Sequence, residues 1–287
     1  MGAETSIAWT DHTFNPWWGC RRVSPGCENC YAEAWDARWS TIFTKGGDKK
    51  AEHWGNGPRR FFGEAHWSEP RRWNKSAAAR GVRERVFCAS MADVFESRAD
   101  LSKWRIKLWT LIEQTPFLDW QLLTKRPENL ILLPEAWIRD PRPNVWIGTS
   151  VEDQERADKR IPLLLQTPAA VRFLSVEPML DAVDLRGALP QEDEGDLEGR
   201  ITHRGREGVD WIIIGGESGG GARPMRLEWM ASIAQQCKAA GVACFTKQWG
   251  SRPIGDDGQL IKLRDHKGGD PHEWSGDWPR EFPETTP

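Results

Sequence analysis

The sequence lacks several features that mark whole classes of protein. Its 287 residues contain no apolar run near the roughly 20 residues that a membrane helix needs, which excludes a membrane-spanning protein. The first residues lack the basic region and apolar core of a secretory signal peptide, so we expect a cytoplasmic location. Charge of either sign is not in excess, with 39 Lys plus Arg against 42 Asp plus Glu. This balance argues against extensive non-specific DNA binding.

Cysteine and tyrosine are scarce, with six of the first and one of the second, whereas there are 18 tryptophans. Six cysteines are too few for a disulfide scaffold in a chain of this length. Three of them, Cys20, Cys27 and Cys30, nevertheless fall close together. In a reducing compartment such a group indicates metal binding before disulfide formation.

Short apolar runs rich in β-branched and aromatic residues alternate with amphipathic segments. Each run is too brief for a buried helix and is typical of a strand covered on both faces. Strand alternating with helix predicts βαβ units and a parallel sheet. We therefore expect an α/β fold, a complete or partial (β/α) barrel of mainly parallel strands. The expected strands are 85–90, 120–125, 145–150, 171–176, 211–216 and 242–247, with a first one near 5–9, and the expected helices are 101–113, 154–165 and 225–240.

Two stretches interrupt the alternation of strands and helices, and a third follows the last strand. Residues 44–83, rich in Gly, Arg, Lys and Trp, are interpreted as a basic insertion with little regular structure. Residues 191–208 are acidic and then contain Gly and Arg, which is typical of a solvent loop. We expect one barrel domain over 1–250 and an irregular tail over 251–287.

Polar side chains follow nearly every expected strand. In parallel α/β proteins the carboxyl ends of the strands converge on the active site. Turns are polar in general, and this simpler explanation fits any one of these residues. The general polarity of turns explains less well why two carboxylates and two lysines would lie at the same end of the barrel. These residues are Lys125, Glu177, Glu217 and Lys247.

The cysteine group has the spacing of a metal site. Cys27 and Cys30 form a C-x2-C pair, with Cys20 upstream and a Pro-Gly turn between. A helix is expected to begin near Tyr31, with its positive end towards the thiolates. Zinc needs a fourth ligand, and no His or Cys follows at finger-like spacing. Three cysteines instead suit a [4Fe–4S] cluster that leaves one iron open, although a purely structural cluster fits the same residues.

These residues resemble two groups of proteins. A Cys-x-x-Cys-Tyr sequence after a first strand and before a βα barrel resembles the radical S-adenosylmethionine (SAM) enzymes. More narrowly, the chain is similar to an uncharacterised phage and bacterial family with a three-cysteine motif. The narrower resemblance covers most of the chain and is carried by residues 9–11, 15–20, 24–27, 30–32, 69–70, 90–93, 124–127, 175–178 and 215–218.

The radical SAM resemblance implies a reaction. Cys20, Cys27 and Cys30 would bind three irons, the open iron would bind SAM, and one-electron reduction would give a 5′-deoxyadenosyl radical that attacks an unknown substrate. It also implies an electron donor, either a reductant protein or a small molecule. The sequence departs from the usual pattern because six residues separate the first two cysteines, and because Ala-Ser-Met-Ala-Asp (89–93) replaces the expected Gly-Gly-Glu.

Individual roles follow from the resemblance and from position. The resemblance places Tyr31 near the adenine of SAM. By position, Ser90 and Asp93 are assigned to the methionine amino group, and Ser150 or Glu152 to the ribose. Three strand-end residues are assigned to the substrate as candidate catalytic groups: Glu177, Glu217 and Lys247.

Two other function classes are open at this point. A metal-stapled protein, with Zn or Fe–S, that binds nucleic acid without catalysis would use the aromatic and basic residues of 59–62 and 71–75. Given the overall net charge, we favour the simpler interpretation of these residues as a solvated loop whose Arg and Trp side chains stack on the barrel. A nucleotide or nucleic-acid substrate for the enzyme fits the same segment. The third class, a hydrolase with a divalent metal on the acidic rim, is weakened because no His lies at an expected strand end. Cys88, Cys237 and Cys244 are interpreted as small apolar core residues.

Overall fold

The apolar runs of the sequence form strands. The structure is a computed structural model that describes residues 5–43, 52–190 and 208–284. The strands are β1 (His12–Thr13), β2 (Trp17–Trp18), β3 (Arg60–Phe61), β4 (Glu84–Cys88), β5 (Leu118–Thr124), β6 (Val145–Ser150), β7 (Val171–Val176), β8 (Trp211–Gly215), β9 (Met225–Arg226), β10 (Ala243–Gln248) and β11 (Pro253–Ile254). The helices are α1 (Tyr31–Phe43), α2 (Glu64–Trp67), α3 (Glu69–Arg80), α4 (Ser102–Glu113), α5 (Glu135–Arg139), α6 (Gln154–Leu165) and α7 (Leu227–Ala239).

Seven strands form a parallel sheet in the order β1-β4-β5-β6-β7-β8-β10. Every residue of β6 and β8 is buried, as expected for strands covered on both faces. The α/β class and the parallel strands are therefore confirmed. Among the described residues the sheet has two ends, β1 and β10, which agrees with the partial rather than the complete barrel.

The first strand lies later in the chain than the sequence suggested. It is β1, which pairs in parallel with β4 through His12 opposite Val86. Residues before it form a turn, in which the Thr10 hydroxyl donates to the carbonyls of His12 and Arg85, both at 3.1 Å. Trp9 is buried against the ring of Phe87 rather than placed in the sheet. The strand predicted near 5–9 is therefore wrong, because the apolar side chain of Trp9 packs in the core from a turn.

The expectation of little regular structure in 44–83 is wrong for the part that the structure describes, 52–83. This part contains β3, α2 and α3. Pro70 stands in the first turn of α3, and Gly81 ends the helix with a positive φ of 67°. Pro70, Trp73 and Ala77 are buried at helical spacing. The prediction failed because basic residues on the exposed face hid this narrow apolar face.

Helices α4, α6 and α7 agree with the helices predicted at 101–113, 154–165 and 225–240. Asp153 begins α6, where its carboxylate accepts a hydrogen bond from the backbone N–H of Arg156 at 2.9 Å. No helix among the described residues combines the length and apolarity needed to cross a membrane.

The chain contains two compact units, Met1–Trp146 and Ile147–Pro287. The domain boundaries drawn from the sequence stay a prediction. Residues 191–207 of the expected solvent loop lie outside the described residues. In the second unit, the segment after residue 250 is mostly irregular but contains β11, which pairs with β9.

The end of this segment runs beside β10. The Glu281 N–H donates to the carbonyl of Cys244 at 2.8 Å, and the Thr246 N–H donates to the carbonyl of Pro279 at 2.8 Å. Phe282 packs on the rings of Trp211 and Phe245. The last described residues therefore pack along β10 at the surface of the second unit, where Phe282 is 37% exposed.

Candidate metal centre and strand-end residues

The loop before Cys20 is fixed to the turn that follows β4. Asn15 is fully buried, and its Oδ1 accepts a hydrogen bond from the N–H of Met91 at 2.7 Å. Its Nδ2 donates to the hydroxyl of Ser90 at 3.0 Å. The Gly19 N–H also donates to the carbonyl of Met91, at 3.0 Å. The residue before the first cysteine is thus held against the carboxyl end of a strand.

Position 19 requires glycine. Its φ is +108°, and a Cβ there would lie 2.1 Å from the carbonyl oxygen of His53. The next residue is held as well, because the carbonyl of Cys20 accepts a hydrogen bond from the N–H of Gly55 at 2.9 Å. The backbone of the first cysteine therefore has little freedom to move.

A buried ion pair holds the loop that contacts Cys20. Arg59 donates to both carboxylate oxygens of Glu96, at 2.9 and 2.6 Å. The same guanidinium donates to the carbonyls of His53, Gly55 and Gly57 at 2.7 to 3.0 Å. Sequence reasoning placed Arg59 in a basic, solvated insertion, and nothing in the local pattern marks it as buried.

The other two cysteines flank the start of α1. Cys27 ends a single 3₁₀ turn, Pro25–Cys27, and its Sγ lies 3.7 Å from the hydroxyl of Ser24. Cys30 immediately precedes the helix, and the backbone N–H groups of Glu33 and Ala32 act to lower the pKa of its thiol. This confirms the helix expected after Cys30, with its positive end towards a thiol.

Cys20 and Cys30 share one environment. Both side chains pack against a cluster formed by Trp18, Ala32, Trp54 and Met91. Burial raises the pKa of the Cys20 thiol to about 12, against the opposing effect of Arg126. Burial likewise raises the pKa of Cys30, while neighbouring N–H groups and the charge of Lys125 act in the opposite direction. The Cys27 charge also acts on Cys30, and all three thiols are free of disulfides.

The described side chains do not form a site for one metal ion. In residues 5–43, 52–190 and 208–284, no three His, Cys, Asp or Glu side chains are arranged to hold a single ion.

Arg126 connects the first cysteine to a buried carboxylate. Its Nη1 lies 3.6 Å from the Sγ of Cys20 and 2.7 Å from the Oδ2 of Asp93. Its Nη2 donates to the carbonyl of Arg21 at 2.5 Å. Although burial alone would lower it, the negative charges of Asp93 and Cys20 raise the pKa of Arg126. The guanidinium is thus a permanent positive charge beside Cys20.

Asp93 is surrounded by donors from the chain itself. Its carboxylate accepts from the N–H of Phe95 and the hydroxyl of Thr124 at 2.9 and 2.8 Å. It accepts also from the N–H of Lys125 at 3.1 Å and from Arg126. In the structure, Asp93 therefore orients the turn after β5 through these hydrogen bonds.

Tyr31 and Ser90, two of the predicted cofactor-binding residues, lie together. The hydroxyl of Tyr31 donates to the carbonyl of Ser90 at 2.7 Å. The Tyr31 side chain is 54% exposed although it adjoins Cys30. Its ring therefore stands at the surface beside the cysteines.

The predicted substrate-facing residues belong to the second unit. Lys247 and Glu177 form an ion pair of 2.5 Å, with both side chains partly exposed. Glu217 is buried and accepts from the backbone and guanidinium of Arg223 at 2.6 to 3.0 Å. Sequence reasoning did not find Arg223, which lies six residues beyond its partner. The catalytic roles of these residues stay predictions.

Ser150 and Glu152, the predicted ribose ligands, are also in the second unit and are both buried. Arg160 of α6 donates to the Ser150 carbonyl and to the Glu152 carboxylate, each at 2.8 Å. Sequence reasoning missed Arg160, which occupies a buried position of an amphipathic helix. The ribose assignment stays a prediction.

The aromatic residues of the basic segment face inward. Trp67 and Trp73 are 1% and 8% exposed, and Trp73 stacks on His12 at 4.4 Å between ring centroids. Arg60 lies over the ring of Trp18. These ring faces are packed against other side chains of the protein, whereas stacking with nucleic-acid bases would require the same faces.

Cys88, Cys237 and Cys244 are buried, as expected for small apolar core residues.

Comparison with known proteins gives a family and a distant structural likeness. No curated protein matches the chain. Among solved structures, two cysteine-substituted forms of spore photoproduct lyase share 13% identity with it, at TM-scores of 0.41 and 0.42. A tyrosine-substituted form shares 11% identity at a TM-score of 0.43.

The matches cover 62% of this chain for the first form and 82% for the other two. The chain spans 48% of the length of the first structure and 63% of the others. A family described as "Protein of unknown function (DUF5131)" matches residues 4–282. Since that match covers nearly the whole chain, the protein belongs to this family of proteins of unknown function.

Proposed function

We propose that this protein is a radical SAM-like iron–sulfur enzyme in which Cys20, Cys27 and Cys30 bind a [4Fe–4S] cluster. The observation that carries the proposal is the environment of the three free thiols. Cys20 and Cys30 pack on one buried cluster, and Cys27 ends the 3₁₀ turn three residues before Cys30. Loops fixed by Asn15 and Arg59 hold the first cysteine in place.

The chemistry of the surrounding groups fits a cluster. Arg126 donates to Cys20, and the start of α1 directs its backbone N–H groups towards Cys30, so the negative charge of the ligands would be offset.

We favour an iron–sulfur cluster over a single zinc ion because of the ligand set. A structural zinc site takes four Cys or His ligands, and no His or Cys follows Cys30 at finger-like spacing. Three cysteines suit a [4Fe–4S] cluster that leaves one iron open.

When bound, such a cluster supplies the electron that cleaves SAM and starts hydrogen abstraction from a substrate. Different residues of the chain would then bind the cluster, SAM and the substrate. Cys20, Cys27 and Cys30 hold the cluster, while the exposed ring of Tyr31 offers a face for adenine and Ser90 a hydroxyl for the methionine end. Glu177, Glu217 and Lys247 are the candidates for contacting the substrate, which we propose to be a nucleotide or a nucleic acid. The electron comes from a separate reductant.

Anaerobic reconstitution with iron and sulfide tests the proposal. We expect about four irons per chain, a visible absorption band, and 5′-deoxyadenosine after incubation with dithionite and SAM. Cys27→Ala should abolish iron binding. Cys237→Ala, which removes a buried thiol outside the candidate site, should retain it.

Equal iron loss in both variants would refute the ligand assignment. A stoichiometric zinc content without iron would favour the metal-stapled binding protein. A cluster that leaves SAM intact would contradict the enzymatic part of the proposal and leave a structural or redox role.

A further inference from the structure

We propose that Arg126 is a positioning residue that sets the reduction potential of the cluster through its hydrogen bond to Cys20. This inference rests on the proposed function, because it requires a cluster on Cys20. It concerns one arginine that the sequence analysis did not assign to any role.

The contacts of Arg126 fix it at the sulfur. One guanidinium nitrogen, Nη1, donates both to the Sγ of Cys20 and to the Oδ2 of Asp93, at 3.6 and 2.7 Å. The other nitrogen holds the carbonyl of Arg21, the residue after the cysteine. A guanidinium fork is needed to bind the thiol side chain and the adjacent backbone at once.

The backbone of Arg126 is fixed as well. Its N–H donates to the hydroxyl of Thr124 at 2.9 Å, and that hydroxyl donates to Asp93. The same carboxylate therefore orients both the turn after β5 and the side chain that leaves it. Since Arg126 is only 6% exposed, solvent screens its charge weakly.

The charge at this position has a definite effect on a cluster. Reduction adds one negative charge, and a positive donor at a ligand sulfur stabilises the reduced form more than the oxidised form. The potential is thereby raised. Removing the guanidinium while Asp93 keeps its charge should lower the potential, because the remaining carboxylate opposes reduction.

The test compares midpoint potentials of anaerobically reconstituted wild type, Arg126→Gln and Arg126→Lys by redox titration followed by electron paramagnetic resonance. In Arg126→Gln we expect a shift to more negative potential, with a reduced-to-oxidised ratio about tenfold lower at the wild-type midpoint, corresponding to about 59 mV for one electron. Arg126→Lys keeps the charge and should restore most of the potential. It should lose iron to a chelator faster than wild type, since the fork is gone.

Arg83→Gln is the matched control. It removes an arginine that pairs with Asp119 at the start of β5, whereas Arg126 follows the end of that strand. It should leave the potential unchanged. An Arg126→Gln protein with the wild-type potential, even if less stable, would overturn the proposal.

If Arg126→Gln folds but holds no cluster, Arg126→Lys decides. A near wild-type potential would support the charge effect, and a potential shifted well below wild type, or the same failure to load, would overturn it. A wild-type protein that binds no cluster would refute the proposed function itself. A cluster that does not cleave SAM refutes only the enzymatic part, and the potentials remain measurable.

Discussion

At the scale of single residues, one glycine and two buried arginines shape the surroundings of Cys20. Gly19 allows the close approach of the loop at His53, and Arg59 holds that loop through three carbonyls. Arg126 then contacts the cysteine itself. The conformation of the first cysteine is therefore determined by residues from three separate parts of the sequence.

Gly19→Ala should destabilise the protein and weaken cluster binding. The new Cβ would meet the His53 carbonyl oxygen at 2.1 Å in a backbone conformation with φ of +108°. We expect a loss of about 1–3 kcal/mol in the free energy of unfolding, measured by urea titration of tryptophan fluorescence.

The matched control for this substitution is Gly55→Ala. Gly55 also has a positive φ, of +62°, but a Cβ there would have no atom within 4 Å. This variant should cost about 1 kcal/mol. Equal losses in the two proteins would show that the clash at His53 is relieved by a small movement of the loop.

At the scale of elements, polar contacts join β1, α3 and β4. Glu84 of β4 accepts from Arg80 of α3 at 2.5 Å and lies 3.1 Å from the His12 ring of β1. Burial acts to raise the pKa of Glu84, but the hydrogen bonds from Arg80 and His12 outweigh it and hold the pKa below its usual value.

This lowered pKa makes stability depend on pH. Glu84 binds protons more weakly in the folded than in the unfolded chain, so its contribution is present above the unfolded pKa of about 4.3 and is lost as the pH falls through the folded pKa. Glu84→Gln should cost about 0.5–1 kcal/mol near neutral pH. The difference from wild type should shrink as the pH is lowered towards 3 in urea titrations.

The exposed pair of Glu135 and Arg139 on α5 provides the comparison. Glu135→Gln should change stability by only about 0.3–0.5 kcal/mol at neutral pH. A Glu84→Gln effect that does not depend on pH would mean that the side chain acts by packing alone.

The elements that could be predicted from the sequence are those with a complete local pattern. The run 145–150 begins with three large apolar residues, ends in small and polar ones, and is β6 at the predicted bounds. The cysteine spacing and the helix after it are equally local. By contrast, Arg126 is 106 residues from Cys20, and Arg59 is 37 residues from Glu96. Such pairs depend on the three-dimensional fold, and composition alone made Arg59 look solvated.

At the scale of the whole chain, the last described residues complete the second unit. Trp211 donates through its indole N–H to the carbonyl of Glu281 at 2.9 Å, and the N–H of Cys244 donates to the Glu281 carboxylate at 3.1 Å. Since β10 is an end strand of the sheet, the segment beside it covers an edge that would otherwise be open to other chains.

A chain that stops after Trp278 should therefore be less stable and more prone to aggregation. The loss of these hydrogen bonds and of the Phe282 packing should cost about 3–5 kcal/mol. Thermal unfolding and hydrogen exchange at β10 would measure it.

Phe282→Leu keeps the backbone contacts and most of the apolar volume, so it should cost less than about 1.5 kcal/mol. A truncated chain with the melting temperature and exchange rates of wild type would show that β10 needs no cover.

The segment between Cys20 and Cys27 is a site where proteases can cut the chain during purification. Arg21 and Arg22 are both exposed and lie between Cys20 and Cys27, so a trypsin-like protease can cleave there. The carbonyl of Arg21 is engaged by Arg126, which leaves the bond after Arg22 as the more accessible of the two. A single cut at that bond would place Cys20 on one peptide and the C-x2-C pair on another. Intact mass should accordingly be checked before any metal content is interpreted.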